Sequence, residues 1–444
     1  MQRDLDAMAG RKFDLAVIGG GVIGSAIARD AARRGIRVVL LERDDFACAA
    51  SEAMSHLIHG GIRYLAQAHF IQIAQSLRER RIWRRVAPGF VKPQPFMVPL
   101  FNKGVASRLT LSAGTRLFEL AGGNGFGQHL SPSQAIAAEP LLDLPGLAGA
   151  CLYSDCRIDQ PERLVLAMLA DACANGAQIA NHAEVEAMAV DNTHLRLVAR
   201  DAMCGETFTL QADKVANVTG PWAQKLATRL LPDQAGAKLT ASKGIHIVTR
   251  QLTRSHALAL SGKGEHAFIV PWGGFSLIGT TDTADTGDPG SAVATSAEVH
   301  ELTAKVLRLL PSAKHVFEHS VSTFAGVRAL PGASGDTYSA SRDFQIVCHA
   351  NDGAPSFFSV YGGKWTTARL VAEKAVDRIT RDFQRSLKPC DTATASIVVP
   401  LVSTSIDNAA QDFVGEMALT EGDRMRRMSR LEVLRAAGKS AAKP

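Results

Sequence analysis

Apolar and polar positions change their spacing several times along this chain, and each change predicts an element. Residues 15–18 form a short unbroken apolar run, the pattern of a strand covered on both faces. The run ends at Gly19-Gly20-Gly21-Val22-Ile23-Gly24. An alanine-rich helical period follows to Arg34, Gly35 stops it, and a second apolar run, 38–41, leads into Glu42. That order predicts strand, tight turn, helix and parallel strand. Residues 71–86 repeat at helical spacing and carry Arg78, Arg80, Arg81, Arg84 and Arg85, read as a solvated face. Residues 93–101 are apolar but contain Pro93, Pro95 and Pro99, which predicts an edge strand, because proline cannot donate to a ladder. The helical pattern at 105–120 fits either an amphipathic helix lying on a membrane or an ordinary domain helix.

Further along, a helix is expected from Pro161, since proline is favoured in a first turn. Residues 184–200 and 206–210 alternate as strands, and 238–330 is dominated by β-like runs. Within it, 268–282 reads as a hairpin turning at Gly273-Gly274, and 299–310 as a helix closed by Pro311. Residues 357–367 predict a buried strand, a Gly-Gly turn and a helix start, with helix to Arg381; 417–444 reads as helical and basic. The fold class expected is α/β.

The first glycine turn carries specific chemistry. Gly19 permits the turn, Gly21 lets backbone N–H groups approach a pyrophosphate, and Gly24 lets the helix pack closely on the strand. The pyrophosphate then meets the positive end of the helix. Glu42 stands about twenty residues on, where a carboxylate accepts hydrogen bonds from both hydroxyls of an adenosine ribose. This points to dinucleotide binding.

Composition narrows the remaining classes. With 444 residues, 46% of them hydrophobic, the chain is long enough for two domains with real cores. A net charge of +6 and a pI near 9.0 suit an anionic substrate or an anionic membrane surface. No basic stretch is interleaved with stacking aromatics, so nucleic acid is set aside. The seven cysteines show no pairing pattern, and Cys151 and Cys156 lack a second ligand pair at zinc spacing, so reduced thiols and no metal site are expected. Residues 1–12 are polar without an apolar signal core, which predicts a cytoplasmic protein, or one attached peripherally to the cytoplasmic face of the inner membrane.

The segment C-A-x-S-x-x-x-S-x-L-I-H-G-G-x-R-Y-L at 48–65, downstream of the fingerprint, resembles the FAD-dependent glycerol-3-phosphate dehydrogenases of the aerobic, quinone-linked type. Further motifs resemble the same family. They are Y-x-D-x-x-x-D from Tyr153, N-V-T-G-P-W from Asn217, K-G-I-H-I-V from Lys243, I-G-T-T-D from Ile278, G-V-R-A-L from Gly326, R-D-F from Arg342 and S-V-Y-G-G-K-W-T-T from Ser359. The likeness covers residues 13–383. It implies a two-dinucleotide-binding-domain flavoprotein with a discontinuous Rossmann-type FAD domain (11–90, 146–225 and 340–383). A mixed-sheet substrate domain (91–145 and 226–339) and a short α-helical region (384–444) complete it. The implied activity is oxidation of sn-glycerol 3-phosphate to dihydroxyacetone phosphate by hydride transfer to FAD, with electrons passed to quinone at the membrane.

A secondary-alcohol dehydrogenase needs a hydride acceptor, a base and a substrate clamp. Arg63, Arg328 and Arg342 come from three distant segments, and arginine's planar fork suits a phosphate dianion. By resemblance the phosphate ligands are Arg63, Tyr64, Thr281 and Arg342. His246 is the expected base, its ordinary pKa near ~6.5 suiting neutral pH, with His59 as runner-up. Arg328 and Lys364 are expected at the reacting carbon and the flavin pyrimidine edge. The expected cofactor contacts are Gly19, Gly21, Gly24, Glu42, Ser51, Ser55, Gly60, Gly61, Thr219, Gly220, Gly362, Gly363, Lys364 and Thr366. Three departures from the family bear on activity: His56 stands where lysine is usual, Ile245 where serine is usual, and the C-terminal region is short. A dehydrogenase of another polyol phosphate such as erythritol phosphate, an oxygen-using oxidase and an inactive flavin-binding paralogue stay open, as does a homodimer.

Overall fold

The computed structural model describes residues 3–62, 70–101, 105–122, 127–191, 194–231, 239–262, 265–285, 287–318, 320–332 and 343–398. Among them the chain folds around two sheets. The first has the strand order Phe344–His349, Ala354–Gly362, Thr207–Asn217, Lys12–Ile18, Val38–Leu41, Gln178–Ala180, and from Ala354–Gly362 onward the neighbours are parallel. His194–Asp201 and Ala183–Asp191 extend it antiparallel from the N-terminal half of Thr207–Asn217. The second sheet runs Thr283–Ala284, Leu239–Arg250, Phe275–Gly279, Glu265–Trp272, Ala257–Gly262, Val91–Phe101, Leu147–Ile158, Leu57–Ile58. Ser320–Pro331 pairs along the full length of Leu239–Arg250.

The unbroken apolar run at 15–18 is explained by burial on two sides. Leu15 and Val17 enter the core beneath the helices Val22–Arg33, Pro161–Ala174 and Ala368–Ile379, while Ala16 and Ile18 enter the core on the opposite face. The second sheet divides in the same way: Ile245 and Ile247 face one core, Val248 and Phe324 the other. The expected hairpin forms, turning through Gly273 and Gly274 at φ 57° and 93°, and the Ser296–Leu309 helix ends just before Pro311. The helix from Pro161 runs to Ala174.

Three expectations need correction. Val91–Phe101 is an interior strand, lying between Ala257–Gly262 and Leu147–Ile158. All three prolines sit at odd positions, so their missing donors share one side of the strand. The ladder with Leu147–Ile158 spans nearly the whole strand, while the partner on the other side pairs at two positions only. Second, Arg80 does not share the solvated face of its helix. It is buried against Asp155, with Nη1 2.8 Å from Oδ1, while Arg78, Arg81, Arg84 and Arg85 are exposed. Third, residues 384–398 of the region expected to be helical contain no helix. They form an irregular strap over the Val22–Arg33 helix, held by Arg33 to Asp391 (2.7 Å to each carboxylate oxygen) and Arg29 to the Ala395 carbonyl (2.9 Å). The remainder, 399–444, lies outside the described residues. No helix among the described residues is long and apolar enough to cross a membrane.

Glu79 and Arg369 join the Phe70–Val86 and Ala368–Ile379 helices by two 2.7 Å hydrogen bonds at side-chain exposures of 0% and 2%. Removing one member of such a pair strands the other charge in the interior. Glu79→Ala is therefore expected to destabilise the protein by about 3 kcal/mol in urea unfolding, the low end for a buried pair because Arg369 keeps Glu373. A loss within ~0.5 kcal/mol would show that water reaches the vacated site.

Candidate active site

A cleft of about 500 Å³ opens between the two sheets, lined from the first by Gly19, Gly21, Glu42, Thr219 and Gly362-Gly363-Lys364, and from the second by Phe96, Tyr153, His246, Phe268, Thr280 and Arg328. Residues 48–62 pass between them and contribute Ser51, Ser55, His59 and Gly61. Most of the expected site residues thus share one cleft: Gly19, Gly21, Glu42, Ser51, Ser55, His59, Gly61, Thr219, Gly220, His246, Arg328, Gly362, Gly363, Lys364 and Thr366. Gly24, Gly60 and Thr281 stand just behind its lining. Arg63, Tyr64 and Arg342 lie outside the described residues.

At the nucleotide turn, a Cβ on Gly24 would lie 1.9 Å from the Gly19 carbonyl oxygen, so the close packing expected there admits only glycine. The helix N-terminus opens on the cleft, and Ser51 Oγ accepts the Val22 N–H at 3.0 Å. Glu42 accepts the Gly20 N–H at 2.6 Å and the Asp44 N–H at 2.8 Å. Burial pushes its carboxyl up to about 6 against those two donors. Gly362 and Gly363 hold left-handed φ values of 74° and 82°, and Lys364 follows at the start of a helical turn. Trp365 donates its indole N–H to the Ser51 carbonyl at 2.9 Å, which ties this turn to the helix N-terminus. A helix end suited to a diphosphate, a carboxylate at the adjoining strand end and a glycine turn carrying a cation fit a flavin dinucleotide.

On the other side, His246 Nε2 is 2.9 Å from Ser55 Oγ, and its ring stacks on Phe324 with centroids 4.9 Å apart. Ile245, next to it in the chain, points into the opposite core, because successive strand residues face opposite ways, so the apolar place beside the ring is not filled by it. Phe324 takes that place. A Cβ on Gly279 would meet the His246 ring at 2.4 Å, and one on Gly244 would meet Arg328 Nη2 at 2.1 Å, so two glycines make room for the His246 and Arg328 side chains. Arg328 Nη2 donates to the Thr281 carbonyl at 2.8 Å, and Asp282 approaches it at 4.0 Å.

The Thr281 hydroxyl accepts the Ile245 N–H at 3.0 Å, while Thr280 lines the cleft. His59 donates its N–H to Thr366 Oγ1 at 3.1 Å. Gly60 donates to Asp155 Oδ1 at 2.8 Å, and burial pushes that carboxyl up to about 6 despite Arg80. His56 turns from the cleft, with Nδ1 2.9 Å from the Ile158 carbonyl and its ring against Trp272. Thr280, Asp155 and Phe324 were not singled out beforehand, although each lies inside or beside a quoted motif. Glu42, Asp44 and Cys48 come within 4.8 Å of one another at the nucleotide end.

Fold and cleft together define a flavin enzyme. The chain belongs to the FAD-dependent oxidoreductase family, whose model matches residues 14–378, and its cofactor is FAD. It is 33% identical over 412 residues to a glycerol-3-phosphate dehydrogenase of a Synechocystis species, covering 88% of this chain and 74% of that one. It is 30% identical over 404 residues to an aerobic glycerol-3-phosphate dehydrogenase of Staphylococcus aureus, covering 87% and 71%. Among solved structures, the glycerol-3-phosphate dehydrogenase of Bacillus halodurans complexed with FAD superposes with a TM-score of 0.69 at 29% identity, covering 87% of this chain and 68% of that one.

Glu42 yields a pH test on the apo-protein. A carboxyl raised from 4.5 to about 6 makes the folded state bind more protons than the unfolded one, so its contribution falls as pH rises through that window and is level above it. The stability difference between Glu42→Gln and the parent should therefore shift in the variant's favour by on the order of 2 kcal/mol between pH 4.5 and 6.5. A pH-independent difference in urea unfolding would show that Glu42 titrates normally.

Proposed function

We propose that this protein oxidises sn-glycerol 3-phosphate to dihydroxyacetone phosphate. The observation that carries the reading is the meeting of His246, Arg328, Thr280 and Lys364 in the cleft that holds the dinucleotide turn. Relatives named for that activity support it. Bound FAD supplies the acceptor for the hydrogen on the alcohol carbon. His246 takes the hydroxyl proton, with Ser55 and Phe324 holding its ring. Arg328, steadied by the Thr281 carbonyl, stabilises charge developing on the substrate oxygen, and Lys364 does so at the flavin pyrimidine edge. His59 remains the alternative base. Arg63, Tyr64 and Arg342 grip the phosphate; Thr280 joins them in the role first expected of Thr281.

The FAD domain is that of the first sheet and the substrate domain that of the second; Leu57–Ile58 and Leu147–Ile158, expected in the FAD domain, belong with the latter by their pairing. Electrons pass to quinone at the cytoplasmic face of the inner membrane. Contact with lipid is supported by Phe70, Ile71, Leu117 and Leu120, which are 56–77% exposed, beside exposed Arg78, Arg81, Arg84, Arg85 and Arg116. Replacing both Phe70 and Ile71 by Ser is expected to lower co-sedimentation with anionic vesicles several-fold. Unchanged sedimentation would remove this face from the interface.

Anaerobic addition of glycerol 3-phosphate to the flavinated enzyme should bleach its visible absorbance. Bleaching by erythritol 4-phosphate alone would redirect the reading to that substrate, and bleaching by neither would end it. His246→Gln should lower kcat by about 10²–10⁴-fold with substrate binding little changed, and should abolish the acidic limb of kcat/KM. A fully flavinated variant with near-normal kcat would move the base to His59.

A further inference from the structure

Thr219 lines the cofactor cleft, and its hydroxyl is the last member of a hydrogen-bonded chain that starts near the surface at Asp352. Asp352 Oδ2 lies 2.6 Å from His349 Nδ1, and His349 Nε2 lies 3.0 Å from Ser359 Oγ. Asn217 Nδ2 is 3.2 Å from Ser359 Oγ and 2.7 Å from the Ala223 carbonyl oxygen. Asn217 Oδ1 in turn faces Thr219 Oγ1 at 2.8 Å and the Thr219 N–H at 3.4 Å. Side-chain exposure is 20% at Asp352 and 1% at His349, and Ser359 and Asn217 are fully buried. The three strands involved are neighbours: Asn217 is in register with Ser359, and the His349 strand pairs with the other edge of Ala354–Gly362.

The direction of every proton in this chain follows from its ends. The Ala223 carbonyl only accepts, so the Asn217 atom facing it is the amide nitrogen, and Oδ1 faces Thr219. Because Oδ1 only accepts, the Thr219 hydroxyl donates its proton there. At the other end the Asp352 carboxylate only accepts, so His349 Nδ1 carries the proton facing it. In the neutral ring Nε2 accepts from Ser359 Oγ, which also receives the second Asn217 N–H.

We infer that this polarised relay makes Thr219 an acceptor-only hydroxyl in the cleft, and that it receives a hydroxyl or amino donor from the adenosine half of FAD. A phosphate, which at neutral pH only accepts, finds no proton there. Asp352, His349, Ser359 and Asn217 are thus positioning residues for the cofactor. The inference rests on FAD as the cofactor and is independent of the substrate reading.

The test is titration of the apo-protein with FAD, followed by flavin fluorescence, beside the melting temperature of each variant. Thr219→Val should raise the FAD Kd roughly two- to ten-fold, the worth of one hydrogen bond, and Thr219→Ser should restore it. His349→Phe should raise the Kd in the same sense. His349→Gln, which keeps an acceptor for Ser359, should recover most of the loss. In the Thr219→Val background, His349→Phe should have no further effect on Kd, because the atom it acts through is gone. A His349→Phe loss of equal size in both backgrounds, or a lower melting temperature with the parent Kd, would reduce the chain to a structural network and overturn the proposal. If His349→Phe does not fold, Asp352→Asn at the surface end is read by the same double-mutant comparison. AMP and FMN as competing probes separate the two halves of the cofactor. Thr219→Val should weaken AMP by the factor seen for FAD and leave FMN unchanged, and the reverse would overturn the adenosine assignment.

Discussion

The helix Val22–Arg33 approaches its own strand so closely that one methyl group at Gly24 would reach the Gly19 carbonyl, and the site is built on that contact. It seats the helix N-terminus against the end of Lys12–Ile18, where backbone donors face the cleft. The capping hydroxyl comes from far along the chain, Ser51, and the same segment continues to Ser55 beside His246. A strand-to-helix distance fixed in the first sheet is thereby passed to His246 in the second. Trp365 on the Ser51 carbonyl and Trp83 on the Thr366 carbonyl brace the segment from the side of the Gly362-Gly363 turn.

The protein handles buried charge in two ways. Arg29–Asp171 at 2.6 Å and the bidentate Glu79–Arg369 pair are matched donors and acceptors that hold helices together. Such pairs contribute little net stability, since desolvation offsets most of the attraction, but they penalise any other packing by several kcal/mol. Asp155 is likewise paired, with Arg80, whereas Glu42 is held by backbone donors. Both border the cleft, both keep backbone N–H donors, and burial still raises each to about 6.

How much was legible in the sequence follows from how local each signal is. The dinucleotide turn, the Gly273-Gly274 hairpin and the Pro161 helix start are each encoded within a few residues, and all three form. The prolines of Val91–Phe101 misled because edge or interior depends on which side a ladder occupies, a fact about strands about fifty residues away and more. Arg80 misled because a single residue, about 100° of rotation round the helix, separates it from the solvated Arg81. Ile245 adjoins His246 in the chain, yet strand alternation sends it to the other core and brings in Phe324 from a strand some eighty residues later. Thr280 and Thr281 were separable only by orientation.

The Phe70–Val86 helix links two properties that sequence reading kept apart. Its inner face holds Arg80 on Asp155, which fixes the Gly60 N–H, and Trp83 on the Thr366 carbonyl, whose hydroxyl meets the His59 backbone. The His59-Gly60-Gly61 loop is thus pinned from this helix at two points. Its outer face carries the exposed arginines and, at its start, Phe70 and Ile71. The surface proposed to meet lipid and the bonds that hold this loop thus belong to one helix. Because Arg80 is fixed by a buried ion pair, the helix cannot rotate to bury its apolar start without stranding Asp155. The exposure of Phe70 and Ile71 is therefore held in place by the same bonds that order the site.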